Sequence, residues 1–359
     1  MSEQQAQEYM QQAEKKLNGW SFFGGNNKYE DAADLYAKAG NTFKLAQRLG
    51  RTHFDHNTRN ISREVTIPKV HQVSQWKFGD YISTWTGILL ESTDDRVDAG
   101  DAFMKAAELH KKVADARFEA SRDYENASKC YKKSKPEGWW IHTFEDDMDF
   151  LLYGMNSDLL ILAAVTAIKE AIAIDKEMAN FRIAAKHHSE VAEIYENDLV
   201  DLPGALENWD NAAQLYLADD SPAMVSKCTL KAAHLAAVLG QYDNAIEKFE
   251  SVAAASVDNQ LTKWSVKEYF LKAGLCHLCT MDTVRVRQAI EKYCNMDVTF
   301  ESTREHEFLQ DIVECVENDE VDLFTQKVYA YDEKTKLDNW KTSILLKIKK
   351  SMGEEPSLM

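Results

Sequence analysis

Residues 201–209, DLPGALENW, and residues 241–249, QYDNAIEKF, decide the fold. Each contains an anchor residue, an alanine three positions later and an aromatic residue four positions beyond: Leu202, Ala205 and Trp209 in the first, Tyr242, Ala245 and Phe249 in the second. Spacings of three and four residues bring such side chains to one face of an α-helix. The small alanine lets a neighbouring helix approach, and the aromatic ring fills the space beside it. The copies stand 40 residues apart, which predicts a repeated pair of helices.

The same pattern occurs twice more towards the amino terminus, at residues 28–36 (KYEDAADLY) and 123–131 (DYENASKCY). Other amphipathic helical segments occupy the intervals. We therefore predict an all-α fold: a tetratricopeptide-like helical-hairpin solenoid over residues 1–280, followed by a C-terminal helical bundle and tail over residues 281–359. A bundle of unrelated helices is the alternative, and the repeat favours the solenoid.

The composition agrees with a helical protein. The chain has 14 glycines and 5 prolines among 359 residues, about 5 % against an ordinary share of roughly 12 %. So few turn-forming residues argue against a sandwich of short strands. A hydrophobic content of 45 % is sufficient for a buried core.

Charge and segment patterns exclude several classes of partner and location. The formal charge of −17 argues against non-specific duplex binding, because neutralising phosphates requires a basic face. The first sixteen residues are polar and lack the apolar centre of a signal peptide. Residues 149–168, the most apolar stretch, are interrupted by Asn156 and Asp158 and make a poor membrane span. Six cysteines without an export signal are typical of reduced thiols, so a cytoplasmic location is expected.

Two segments break the helical pattern. Residues 47–98 contain no alanine, although alanine is dense on either side, and they carry β-branched runs such as REVTIPKV. Residues 138–162 are again free of alanine and abruptly aromatic. Their local preferences conflict with those of the flanking helices. We expect two insertions of poor helical character, at residues 48–97 and 138–162, which pack poorly while the flanking helices keep their register.

Long stretches of the chain resemble the α-type soluble NSF attachment proteins, the SNAP family. The resemblance starts with AEKKLNGW and KYEDAADLYAKAGNTFKLAQ and continues through AAKHHSEVAEIYE (184–196), SKCTLKAAHLAAVLGQYDNAIEKFE (226–250), KWSVKEYFLKAGLCHLC (263–279) and LDNWKTSILLKIKK (337–350). It covers residues 1–46, 99–137 and 163–359. It implies a non-enzymatic adaptor that coats assembled SNARE bundles at membranes and recruits the ATPase NSF to disassemble them. The family pattern lacks both expected insertions. Retained non-coding sequence would explain them, and a genuine lineage-specific loop is the alternative.

Basic residues recur at nearly the repeat spacing. Lys186, Lys227, Lys267 and Arg304 are separated by 41, 40 and 37 residues, and Lys231 follows Lys227 by one helical turn. Equivalent positions of successive repeats share one surface, so these five residues, the basic ladder, are candidates for binding an acidic rod. Solvated lysines are an equally good interpretation of the spacing alone. The resemblance, which implies SNARE contacts at these positions, favours binding.

Phe22 and Phe23 are adjacent and are followed by Gly24, Gly25 and Asn26, a composition typical of a loop. Exposed aromatic rings at a loop tip suit shallow insertion at a bilayer interface. A core role in the first hairpin is the better interpretation from these residues alone. The membrane-attachment loop implied by the resemblance favours insertion.

Residues 301–322 contain nine acidic residues and one basic residue. A solvated helix face is the common interpretation of such a run. The resemblance implies that NSF docks here, with Glu314 and Glu317 three residues apart on one helical face, and that the penultimate Leu358 stimulates the ATPase.

No motif indicates catalysis or a cofactor. Cys276 and Cys279 form a lone CxxC, which is weak evidence for zinc because no second pair stands at a suitable spacing. Phosphate loops and catalytic constellations are not recognisable. The rival hypotheses are a generic tetratricopeptide-like scaffold for another protein or peptide, and a metal-dependent helical enzyme.

Overall fold

The computed structural model describes residues 2–18, 25–54, 95–134 and 147–352, and all regular structure in these ranges is helical. The predicted all-α fold of helical hairpins is thereby confirmed. Contacts divide the chain into two compact units, Met1–Asn180 and Phe181–Met359. The expected boundary near residue 280 falls inside the second unit and stays a prediction.

Unit 1 has five helices in its described residues, and each packs against its neighbour in sequence. They are α1 (Ser2–Asn18), α2 (Gly25–Phe54), α3 (Asp95–His110), α4 (Arg117–Lys133) and α5 (Asp147–Glu177). The repeated motif supplies the core, since Ala32 and Ala127 are fully buried and Tyr36 and Tyr124 nearly so. Close approach also depends on Gly100, where a Cβ atom would lie 2.5 Å from the ring of Tyr131.

Unit 2 has nine α-helices in its described residues, again packed mainly on their neighbours. They are α6 (Phe181–Asn197), α7 (Leu202–Ala218), α8 (Pro222–Val238), α9 (Tyr242–Val257), α10 (Val266–Leu278), α11 (Thr283–Met296), α12 (Arg304–Glu317), α13 (Val321–Lys334) and α14 (Asn339–Met352). Short 3₁₀ helices at Lys263–Ser265 and Val298–Ser302 precede α10 and α12. Ala205, Trp209, Ala245 and Phe249 of the two deciding motifs are buried in one core.

Left-handed residues mark the repeat in the backbone. Val200, Asp220 and Gly240 have φ values of 53°, 53° and 78° and end three successive helices. The turns at Asp220 and Gly240 are closed by a backbone hydrogen bond that spans five residues, Ser221 N–H to the Tyr216 carbonyl at 3.0 Å and Gln241 N–H to the Ala236 carbonyl at 2.8 Å. These two are Schellman-type helix ends, which satisfy the last carbonyls of a helix, whereas the wider turn at Val200 is closed by Asp201 N–H and the Tyr195 carbonyl at 2.9 Å. Their spacing of 20 residues gives one helix per interval and two helices per 40-residue repeat.

The prediction of poor helical character for residues 138–162 is wrong from residue 147 onward, because residues 147–162 form the first half of α5. Ile161 is buried, and Leu160 packs against the core of unit 1. The loss of alanine was misleading, since leucine and methionine have nearly the same helix propensity. Residues 48–54 and 95–97 are likewise helical. The rest of both segments, residues 55–94 and 138–146, lies outside the described residues.

Among the described helices, none is long and apolar enough to cross a membrane.

Candidate protein-binding surfaces

The basic ladder occupies every second helix of unit 2. Lys186 lies on α6, Lys227 and Lys231 on α8, Lys267 on α10 and Arg304 on α12. Apart from Lys231, each lies within the first six residues of its helix. Since consecutive helices of a hairpin run in opposite directions, alternate helices begin at the same end of the unit. The regular spacing in the sequence therefore corresponds to equivalent positions in successive hairpins.

Two of these cations, Lys267 and Arg304, stand where helix electrostatics disfavour them. The amino-terminal end of a helix carries a partial positive charge, so a cation in the first turn costs about 0.3–1 kcal/mol at an exposed site. Arg304 is the first residue of α12 and Lys267 the second of α10. Residues that oppose local stability are expected at binding surfaces.

Nearby carboxylates partly neutralise the positive charge of Lys267 and Lys231. Lys267 Nζ lies 3.0 Å from Oε1 of Glu305, whose side chain is only 7 % exposed. Lys231 Nζ lies 3.5 Å from Glu196 Oε1, and its ammonium also stands 5.9 Å from the centroid of the Trp209 ring. Both lysines nevertheless keep nearly half of their side-chain surface exposed, 45 % and 46 %.

Lys186 has a local partner, Glu190, with Nζ and Oε1 3.4 Å apart. Burial alone would raise the pKa of Glu190, but His187 and Lys186 lower it below its ordinary value. The side chain of Lys186 remains 56 % exposed. Lys227 and Arg304 are exposed as well. All five members of the ladder are thus accessible to a partner.

Glu314 and Glu317 have different environments. Both lie in the last turn of α12, at the negative end of the helix dipole. Glu317 is held by Arg287 of α11, whose Nε donates to Oε1 at 2.6 Å, while a second guanidinium nitrogen contacts Oε2. This hydrogen-bonded pair lowers the pKa of Glu317. Glu314 is exposed, and exposed Asp319, Glu320 and Asp322 follow it in the chain.

The two cysteines of the CxxC lie at the carboxyl end of α10. Cys276 is buried in the core of unit 2, and Cys279 is partly buried against it. Burial raises the pKa of both thiols, that of Cys279 to about 11. A neutral thiol is a poor metal ligand, because the thiolate is the binding form. Core packing, the favoured interpretation of this motif, agrees with that environment.

Three predicted site residues, Phe22, Phe23 and Leu358, lie outside the described residues. The carboxylate partners of the ladder were missed by the sequence analysis. The i, i+4 spacing of Lys186 and Glu190 is a local signal that could have revealed that pair. Glu305 and Glu196 lie on other helices than the lysines they contact, and no local spacing reveals such pairs.

Comparison with known proteins extends the resemblance over nearly the whole chain. A family model described as "Soluble NSF attachment protein, SNAP" matches residues 4–52, 93–145 and 155–353. The chain is 34 % identical to a "Probable vesicular-fusion protein sec17 homolog" of Schizosaccharomyces pombe, over 96 % of this chain and 95 % of that protein. It is 31 % identical to the "Alpha-soluble NSF attachment protein" of Homo sapiens, over 99 % of this chain and 98 % of that protein. The two internal stretches without a family match, residues 53–92 and 146–154, lie inside the two expected insertions.

Proposed function

Because this chain belongs to the soluble NSF attachment protein family, we propose that it is an adaptor in vesicle fusion that binds assembled SNARE complexes and recruits NSF to disassemble them. The observation that carries the proposal is the basic ladder, whose exposed cations lie on alternate helices, all but Lys231 near the start of their helix, in an otherwise acidic protein. A linear series of exposed cations suits an elongated acidic partner, and an assembled SNARE bundle is such a rod. Binding rather than catalysis is the activity that these residues support.

Electrostatic complementarity explains why the ladder suits a protein that works on transient complexes. Exposed charges speed diffusional encounter and fix the orientation of a partner more than they raise affinity. The carboxylates beside Lys267 and Lys231 lower the net positive potential, so affinity stays moderate and the adaptor is released when the bundle comes apart. Both features favour repeated cycles of binding and disassembly.

The acidic end of α12 is the proposed contact for NSF. Glu314 is the stronger candidate, because its carboxylate is exposed at the negative end of a helix and further acidic residues follow it in the chain. Glu317 forms an ion pair with Arg287, so a basic partner would have to displace Arg287 to bind this carboxylate. In this proposal Glu317 and Arg287 position the end of α12, and Leu358 acts on the ATPase from the tail.

The test is a double charge reversal, Lys186→Glu with Lys227→Glu. We expect loss of binding to a soluble SNARE complex with an unchanged melting temperature, because exposed charges contribute little to folding. Binding of the parent protein should weaken with added salt, since exposed charges are screened over roughly 8 Å at physiological ionic strength. The readout is affinity by titration calorimetry at two salt concentrations.

The matched control is Lys334→Glu with Lys336→Glu, which makes the same change in charge at exposed positions around the end of α13. Its affinity for SNARE complexes should stay within a few-fold of the parent value. Equal losses in both variants would mean that net charge alone matters. Unchanged binding of the ladder variant would make these lysines ordinary solvated residues and would favour a scaffold for another peptide.

A further inference from the structure

The connection between α9 and α10 presents two large apolar side chains to solvent. Trp264 is 75 % exposed and Leu261 is 89 % exposed. Single exposed leucines are ordinary on protein surfaces. A tryptophan with three quarters of its surface in water beside an exposed leucine is less so, because tryptophan is highly buried on average. Neither side chain belongs to the described hydrophobic cores.

The backbone of this connection is fixed by hydrogen bonds. Asn259 organises it: its side-chain oxygen accepts from Leu261 N–H at 2.9 Å and its carbonyl accepts from Lys263 N–H at 2.9 Å. The 3₁₀ helix Lys263–Ser265 then leads directly into α10. Trp264 is thus presented on an ordered element, which lowers the conformational entropy lost when a partner binds.

Trp264 stands beside the basic ladder. It precedes Lys267 by three residues on a continuous helical stretch, so the two side chains lie on neighbouring positions of one face. The ammonium of Lys263 lies 5.4 Å from the centroid of the Trp264 ring. Lys267 in turn joins α10 to α12 through Glu305, the neighbour of Arg304. An exposed aromatic ring therefore lies close to Lys263 and one helical turn from Lys267, a member of the ladder proposed to bind an acidic rod.

We propose that Trp264 and Leu261 form an apolar anchor of the SNARE-binding surface, which packs on an apolar side chain of the helical bundle while the ladder contacts its acidic residues. This inference rests on the proposed function and adds a determinant of affinity that charge does not supply. Tryptophan is enriched among the few interface residues that dominate binding energy. The adjacent cations favour an acidic helical partner, and exposed Asp258 on the same connection disfavours an anionic lipid surface.

The experiment compares Trp264→Ala and Leu261→Ala with the parent protein in binding a soluble SNARE complex without membranes. We expect Trp264→Ala to weaken binding about tenfold or more, as for a central interface residue. Val284→Ala is the matched control, because Val284 is an apolar residue that is 66 % exposed. It lies at the start of α11, after the carboxyl end of α10, whereas Trp264 precedes the amino end of α10. This substitution should change affinity less than twofold. The melting temperatures should all agree, since each side chain is mostly in water.

Salt dependence separates the anchor from the ladder. Trp264→Ala should lower affinity equally at low and high salt, whereas Lys227→Glu should reduce the salt dependence itself. Parent affinity retained in Trp264→Ala would overturn the anchor and leave the adaptor function standing. Failure of the parent protein to bind SNARE complexes would overturn both.

Two other occupants of this surface would also overturn the proposal. If Trp264→Ala lost binding only to protein-free lipid vesicles, the ring would be a lipid anchor. If the parent protein sedimented as a dimer that Trp264→Ala dissociated, the ring would be a contact between copies of this chain.

Discussion

Burial and a neighbouring lysine fix the protonation state of the His234 side chain. It lies on α8, with its ring edge-on to Phe249 and Trp340 at centroid distances of 5.3 and 5.1 Å. Lys272 donates from Nζ to Nε2 of His234 at 3.0 Å, which requires a neutral imidazole. Burial, and then the charge of Lys272, lower the pKa of His234 to about 4.

We predict that His234 makes unit 2 less stable in mild acid. In the unfolded chain the pKa of histidine is about 6.5, so between about pH 6.5 and 4 the unfolded state binds a proton that the folded state excludes. Stability from His234 is complete above about pH 6.5 and declines as the pH falls, by at most about 1.4 kcal/mol per pH unit. Urea unfolding at about pH 7 and pH 5 measures this, and His234→Gln, which keeps an acceptor for Lys272, should show a smaller loss. An equal loss in both proteins would assign the effect to other groups.

The ladder shows what a sequence reveals about single residues and what it does not. Positions such as Lys186 and Lys227 follow from the 40-residue period, because a repeat returns equivalent residues to equivalent places. Their electrostatic partners do not follow, since the partner of Lys267 is 38 residues away on another helix. The difference between exposed Glu314 and paired Glu317 likewise depends on Arg287, which no local spacing connects to them.

Helix α14 is attached to its neighbours by polar contacts of Trp340 and Lys341. Lys341 is only 5 % exposed, and its Nζ lies 2.7 Å from Oε1 of Glu268 on α10. Glu268 also lies 3.5 Å from Lys272 Nζ. The indole N–H of Trp340 donates to the backbone carbonyl of His234 at 3.1 Å. Helix α14 is thus joined to α8 and α10 by partly buried polar contacts as well as by its apolar face.

We predict that Lys341→Met loosens α14. Removing one partner of a buried ion pair leaves the other charge uncompensated, at a cost of up to about 3–5 kcal/mol; here the cost is smaller, because Glu268 is 29 % exposed and keeps Lys272. Hydrogen exchange of residues 339–352 should accelerate more than that of α6 and α7. The control is Lys350→Met, an exposed position on the same helix, which should leave exchange unchanged. Unaltered protection in Lys341→Met would show that the apolar face alone holds α14.

The presence of the helices was easier to predict from the sequence than the residues at which they begin and end. The alanine and aromatic motif identifies buried faces of α2, α4, α7 and α9, because a spacing of three and four residues is a property of the helix itself. The same criterion failed for residues 147–162, where leucine and methionine sustain a helix without the motif. A local pattern of small and aromatic residues indicates which face of a helix is buried. It does not identify a helix that lacks small residues and is stabilised by packing on its neighbours.

At the scale of the whole molecule, net charge separates the proposed modes of binding. A chain with a formal charge of −17 is repelled by anionic lipid headgroups. Its basic ladder is confined to unit 2, whereas Phe22 and Phe23 belong to the stretch between α1 and α2. Membrane attachment, if these two residues provide it, must therefore depend on apolar insertion rather than on electrostatic attraction.

We predict that Phe22→Ser with Phe23→Ser weakens disassembly of membrane-anchored SNARE complexes and spares soluble ones. Full burial of an aromatic side chain contributes about 1.5–3 kcal/mol, and shallow insertion contributes less, so vesicle binding should fall about tenfold or more. Phe22→Leu with Phe23→Leu is the matched control, because it keeps apolar side chains and should retain most of the binding. The loss should be the same on neutral and anionic vesicles, since charge does not drive insertion. A loss confined to anionic vesicles would contradict apolar insertion. An equal loss on soluble and membrane-anchored substrates would assign both phenylalanines to the core of unit 1, where buried serines would destabilise the first hairpin through lost apolar burial.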